Sequence, residues 1–321
     1  MSASQYSDYL ELNRDALNRA TVRGERPEML YWGISAERAA TRKRKSRQQL
    51  DAEIEQKAKK KAEEEAEVQA QATQTPAGGR GDRGRGRGGR GAHYLNTRTG
   101  KTPPATWEFR RAVHAWAPTT TRPEEPEPSE YIAVLPTGQR LVVELGNRLP
   151  DEGLLRVRVR AWRVSTEPNL IPSVALEFGW QGNNNSKASF RISDHDLEID
   201  APPGKPQFYQ WDIPLSEIYP CNPVRKSVKL GTPKRTNPSE YIRLHTTSLS
   251  QSADVQFDYV EVSTPVYEQW PPASHTGIFI ESENSEDENA YAREILSRFM
   301  KRAWRRGVTD AEVDRKMEFF A

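Results

Sequence analysis

From Tyr131 to Val262 apolar positions recur every second residue, and they do so in short runs rather than in one long stretch. The runs are Leu141–Leu145, Leu155–Val164, Val174–Trp180, Ala188–Ile192, Leu197–Ile199, Gln207–Ile213, Ser227–Leu230, Tyr241–His245 and Val255–Val262. They are rich in Val, Ile, Phe, Tyr and Trp and are separated by Gly, Pro, Asn and Ser, the composition of strands joined by turns. The clearest puts Leu155, Val157, Val159 and Ala161 on one face and Arg156, Arg158, Arg160 and Trp162 on the other. One buried face and one wet face is the signature of antiparallel sheet. Strands at this spacing predict a mainly β protein: a two-sheet antiparallel jelly-roll β-sandwich with flanking helices.

On either side the period changes to that of a helix. Tyr6, Tyr9, Leu10, Leu12, Asn13, Ala16, Leu17 and Ala20 place much of the apolar content at three- and four-residue spacing and predict an amphipathic helix over 4–22. Residues 35–74 are dominated by Ala, Glu, Lys, Arg and Gln without a sustained apolar seam. That pattern predicts a solvated single helix ending before Pro76, not a coiled coil. At the other end, Ser285 followed by Glu288 reads as a capping box, after which Tyr291, Ile295, Phe299 and Ala303 repeat every four residues. Thr309 and Glu312 repeat the device for a second helix, with Gly307 as the expected left-handed residue between the two.

Composition limits what surrounds this core. Only 35% of the 321 residues are hydrophobic and the mean hydropathy is -0.84, so much of the chain must be solvated. Gly78–Gly91 alternates glycine and arginine, and such a segment is expected to be disordered. The 47 basic and 45 acidic side chains give no overall field for nucleic acid or anionic membrane. Cys221 is the only cysteine, which excludes an intramolecular disulfide, a CxxCH haem attachment and a four-cysteine zinc site. No stretch approaches the ~20 apolar residues of a membrane span, and the first residues do not read as a signal peptide.

The candidate chemistry is that of binding rather than catalysis. No serine or cysteine has a base that spacing would nominate, and the enzyme reading is not adopted. Asp194, His195 and Asp196 are the one compact group of metal-capable residues, and a surface turn accounts for them, so no metal or cofactor is assigned. Trp162, Trp180, Tyr209 and Trp211 fall in or beside strands, with Asn183 and Asn184 in the loop after Trp180. Aromatic faces with amides nearby are a usual way to hold a sugar ring, which makes these six the candidate glycan contacts, although packing is the competing role for each aromatic. Trp162 is expected to be the better exposed by alternation. Arg80, Arg83, Arg85, Arg87 and Arg90 among glycines offer nucleic-acid binding as an alternative, with a plain linker as its competitor, and a sandwich that is purely a structural spacer in a redox-linked assembly is the other alternative. The basic run Arg42, Lys43, Arg44, Lys45 and Arg47 reads as a solvated helix start.

LLRVRVRAW, NPSEYIRLHTTS, DYVEVSTPVYEQWPP and AREILSRFMKRAWRRGVTDAEVDRKMEFF resemble the central part of the large planctomycete multidomain proteins that join a c-type cytochrome segment to serial domains of unknown function. The resemblance implies a carbohydrate-binding-like jelly roll followed by a small helical domain, with SQYSDYLELNRDALNRA similar to the last helix of a preceding domain. It also implies adjoining helical domains as partners and a periplasmic or cell-surface address. The expected map is then a helical remnant at 1–32, a charged helix and Gly/Arg linker at 33–104, the sandwich at 105–275 and a helical pair at 276–321. On this reading the chain is expected to be a fragment of a longer protein.

Overall fold

A computed structural model of the chain describes residues 3–22, 24–42, 56, 91–103, 105, 115–146, 148–167, 169–181, 187–218, 239–248 and 252–319. They form two compact units, one of residues 28–266 and one of residues 1–27 with 267–321.

The larger unit is a β-sandwich in which every strand pairing is antiparallel. Its strands are β1 (Leu30–Ser35), β2 (His93–Asn96), β3 (Tyr131–Leu135), β4 (Arg140–Gly146), β5 (Leu154–Ser165), β6 (Ser173–Gln181), β7 (Lys187–Arg191), β8 (Leu197–Glu198), β9 (Gln207–Pro214), β10 (Ser239–Thr246) and β11 (Ala253–Val266). The short helices α2 (Ala36–Thr41) and α3 (Leu215–Ile218) follow β1 and β9. The first sheet has the order β2-β3-β11-β5-β9, with β1 also paired to β11; the second has β4-β10-β6-β7, with β8 on β6.

Alternation places the core. Leu155, Val157, Val159 and Ala161 of the first sheet and Leu141, Val143, Leu145, Leu176, Phe178, Ile242 and Leu244 of the second belong to one buried cluster. Burial of each Val, Leu, Ile or Phe among them contributes roughly 1.5–3 kcal/mol. Strand β11 keeps its apolar side inward only by changing phase: Val255 and Phe257 face the core, and then Val260 and Val262 do. Asp258 is the extra residue at the bulge where the register against β5 shifts.

The arginine face of β5 does point outward, yet it is not simply wet. Residues 119–128 run across it, with Thr119 bonded in both directions to Tyr31. Arg122 and Arg158 both reach Glu261, Arg158 also reaches Glu125, and Arg160 donates to the Pro126 carbonyl at 2.9 Å. A Cβ on Gly33 would stand 2.6 Å from Pro123 Cγ, so the close passage of this strap needs glycine there. At the far end of the same face Trp162 packs with Ile132, Val134 and Ala201. The expectation that Trp162 is exposed is therefore corrected: it is 8% exposed, because apolar neighbours from β3 and the segment after β8 cover it.

The strands read from the sequence are present where they are described; Ser227–Leu230 lies outside the described residues. Two additional strands, β1 and β2, belong to the sandwich although the expected boundary at residue 105 left them out. Of the predicted charged helix the structure describes α2, N-capped by Ser35, and a helical Gln56. Arg42 of the basic run is not merely solvated: its guanidinium lies 4.0 Å from the Trp116 ring centroid, a cation–π contact.

The smaller unit holds α1 (Ala3–Ala20), α4 (Ala273–Thr276), α5 (Glu288–Trp304) and α6 (Asp310–Met317). The cap of α5 is Asp287, which accepts from the N–H groups of Asn289 and Ala290, and not the expected Ser285. The left-handed residue is Arg305 at φ 51°, and not Gly307. At α6 the predicted partner is present, since Glu312 accepts from the Thr309 N–H at 2.9 Å. No helix among the described residues is long and apolar enough to cross a membrane.

Candidate functional site: the outer face of the second sheet

On β6 a single acid interrupts an apolar run, VALEFGW. Period two sends Val174, Leu176 and Phe178 into the core and Glu177 to the outer face. Register then decides its neighbours. Glu177 stands opposite Arg243 of β10 on one side and Arg191 of β7 on the other, while Arg243 and His245 of β10 stand opposite Val142 and Arg140 of β4. Three neighbouring strands thus place an Arg, an Arg–His pair and an acid side by side at a strand spacing of about 4.8 Å.

Both carboxylate oxygens of Glu177 are engaged. Arg140 Nε lies 3.4 Å from Oε1 and 3.3 Å from Oε2, His245 Nδ1 lies 2.8 Å from Oε1, and Arg243 Nη2 reaches Oε2. Arg243 Nη2 also donates to Ser189 Oγ. The Glu177 side chain is only 11% exposed, that of Arg140 42%. Burial pushes the His245 imidazole below its ordinary value, with the positive charge of Arg140 acting in the same direction and Glu177 opposing both. At neutral pH His245 is therefore uncharged, and its only role toward the carboxylate is donation from a protonated Nδ1.

A rim of hydroxyl groups continues the cluster. Ser173 Oγ and Thr247 Oγ1 are 2.9 Å apart, Ser248 Oγ accepts from the Ser173 N–H at 2.7 Å, and Thr247 Oγ1 donates to Asp196 Oδ2 at 2.6 Å. Asp196 also pairs with Arg191 at 2.8 Å. Asp196 of the Asp194–Asp196 turn thus serves this network. Among the described residues no set of three or more His, Cys, Asp or Glu side chains is arranged for a metal ion. Chemically the face offers planar charged groups and hydroxyls within one surface, which suits a ligand rich in hydroxyl and carboxyl oxygens.

The residues nominated from the sequence lie elsewhere. Trp180 and Trp211 point into the core at 8% and 4% exposure, and Trp180 packs edge-on to Phe190 with ring centroids 6.0 Å apart. Tyr209 is half-buried beside the Trp162 cluster; its hydroxyl donates to Asp200 at 2.6 Å and accepts from the Ala201 N–H at 2.9 Å. Burial, and then the bond to Asp200, pushes this phenol up to about 12. As placed, Trp162, Trp180 and Trp211 are packing residues rather than an assembled platform. Asn183, Asn184, Arg80, Arg83, Arg85, Arg87 and Arg90 lie outside the described residues. Arg140, Glu177, Arg243 and His245 are not among the residues that aromatic character nominates. The available signal was the lone acid of β6 and the alternating RLH of β10.

No protein-family model matches the chain and no curated protein matches it. Among solved structures the chain is similar to the CBM36-1 domain of a multidomain xylanase from the hindgut metagenome of Trinervitermes trinervoides. That likeness has 11% identity and a TM-score of 0.24, over 40% of this chain and 75% of that one. It is also similar to the CBM22-1 xylan-binding domain from Paenibacillus barcinonensis, with 7% identity and a TM-score of 0.27, over 44% of this chain and 78% of that one. The CBM22-1 and GH10 modules of a Clostridium thermocellum xylanase, complexed with xylohexaose, give 12% identity and a TM-score of 0.25, over 41% and 21%. The sandwich architecture rests on the strand pairings above and not on these likenesses.

Proposed function

We propose that the protein is a non-catalytic binding and assembly module whose sandwich holds a polysaccharide or glycan on the outer face of the second sheet. The observation that carries this reading is the Glu177 cluster: one carboxylate with Arg140, Arg243 and His245 gathered on it, extended by the Ser173, Thr247 and Ser248 hydroxyls. Sugar recognition needs several short, oriented polar bonds from groups that are already fixed, because ordering loose side chains on binding costs about 0.5–1.5 kcal/mol each. Here the strands fix them. The corresponding face of the first sheet carries the residue 119–128 strap and its ion pairs, which leaves it less suited to a chain-like ligand.

The direct test is a glycan array on the whole protein beside Glu177→Gln and Arg243→Gln, with circular dichroism to check folding. Binding lost in both folded variants supports the reading; unchanged binding in both removes it.

The assembly half of the proposal rests on the helical unit. The stripe Ile295, Phe299 and Ala303 of α5 lines, with Ile278, a groove of about 460 Å³ flanked by Arg298 and Arg302. Phe299 is 53% exposed there. An apolar groove of this kind suits a helix of an adjoining domain. Phe299→Glu should abolish such an association without unfolding the chain, as read by light scattering on co-expressed segments.

A further inference from the structure

We infer that the ligand of the second-sheet face carries a carboxylate, as a uronate polymer does, and that Arg140 binds it through its two terminal nitrogens. This rests on the glycan reading above and narrows it to an acidic class.

The face carries donors that its own acceptors leave unspent. Two guanidinium groups, Arg140 and Arg243, converge on the single carboxylate of Glu177, and uncharged His245 adds a further donor. Of the other charged groups on this face, Arg191 is paired with Asp196, and Glu144 of β4 has a partner of its own. Arg140 spends only Nε on Glu177, and among the described residues nothing takes its terminal nitrogens. Arg243 spends Nη2 on Glu177 and Ser189, while its Nε is buried without a hydrogen-bond partner among the described residues. A guanidinium is a planar fork whose end-on pair of N–H groups fits the two oxygens of a carboxylate, and such bonds are about twice as strong as neutral ones. With Nε facing Glu177 at 3.3 and 3.4 Å, the terminal nitrogens of Arg140 are left over, and its side chain is 42% exposed and open to a ligand. A neutral sugar would leave the terminal nitrogens of Arg140 without an anionic partner. A uronate supplies one, and its hydroxyls meet the Ser173, Thr247 and Ser248 rim.

The test is affinity electrophoresis of the whole protein through gels holding polygalacturonate, neutral β-glucan or dextran sulfate. Selective retardation by polygalacturonate is expected, weakened by Arg140→Ala by at least about tenfold in Kd, the size of one charge-assisted fork. Arg140→Lys should restore little, because it keeps the charge and loses the fork. As a check free of variants, oligogalacturonate but not a neutral oligosaccharide should release the unmodified protein from the gel. Retardation by β-glucan alone overturns the inference and leaves the glycan reading standing. Equal retardation by dextran sulfate, or full rescue by lysine, overturns it in favour of simple polyanion attraction. Retardation by none of the three overturns the inference, and the glycan array then decides the broader reading.

Discussion

A Cβ placed on Gly179 would stand 2.5 Å from Cζ of Tyr241, so the phenol ring of β10 lies directly on the backbone of β6. The two residues are partners in the ladder, and the ring continues toward β7, where its hydroxyl donates to the Ala188 carbonyl at 3.3 Å. Gly179→Ala must therefore move a 2%-exposed aromatic residue, and overpacking of this kind costs typically 1–3 kcal/mol. A fall of that size in urea-unfolding stability is expected. It should shrink when Tyr241→Ala is already present, because the two changes share one contact.

Ion pairs on the outer face of the first sheet divide by burial. Arg160 and Asp258 meet at 2.7 Å with side chains 12% and 7% exposed, and Arg156 and Asp212 at the same distance with 30% and 32%. Removing one partner of a buried pair strands the other charge, at about 3–5 kcal/mol, whereas a solvated pair contributes about 0–1 kcal/mol. Asp258→Ala is expected to destabilise several times more than Asp212→Ala in matched denaturant titrations. Equal losses would show that water reaches Arg160.

These two cases also show what the sequence made legible. Strict alternation in Leu155–Ala161 declared the sandwich and its core face, and the repeated spacing of Thr309 and Glu312 declared the α6 cap. Alternation was silent about what lies over an outward residue. Trp162 shares a face with three arginines, and only the chain's return through Ile132, Val134 and Ala201 buries it. The bulge at Asp258 is written in VQFDYVEV as a phase slip between Phe257 and Val260, visible once both must face one core. The Glu177 cluster was less accessible, because its members are distant in sequence and only strand order brings them together. Strands β1 and β2 are short and flank a low-complexity stretch, so their pattern carried little weight beside the composition around them.

His245 makes stability depend on pH in a defined direction. Its folded pKa lies below the ordinary 6.5, so the folded protein resists taking up a proton that the unfolded chain accepts. The contribution is fully present above pH 6.5 and is lost as pH falls through the folded value. His245→Asn, which keeps a donor near the Nδ1 position, should flatten the pH dependence of the melting temperature below 6.5 while leaving it little changed at pH 8.

In the helical unit the sign is the same but the range is lower. Arg306 forks onto Glu312 at 2.6 and 3.1 Å, and the Thr309 N–H adds a third bond; together they hold the carboxyl at about 2, below 4.5. Its effect on the α6 start is thus present above pH 4.5 and lost between there and about 2. In Arg306→Met the carboxyl resonance of Glu312 should titrate closer to 4.5 by NMR. An unchanged midpoint would assign the shift to the cap alone.

The buried tryptophans and the polar cluster should separate under mutation. Trp180 belongs to the main core and Trp162 to the smaller cluster beside it, so truncating either to alanine removes packing and leaves a cavity, at about 3–5 kcal/mol. Arg140 is the reverse case, an accessible side chain whose loss deletes donors and little packing. Trp162→Ala and Trp180→Ala are therefore expected to lower the melting temperature markedly, while the fraction still folded at low temperature keeps its glycan affinity. Arg140→Ala should lower affinity with a melting temperature close to that of the unmodified protein. If the tryptophan variants lost affinity in proportion to no change in folding, the ligand would have to sit on the aromatic residues. The outer face of the second sheet would then be a structural network only.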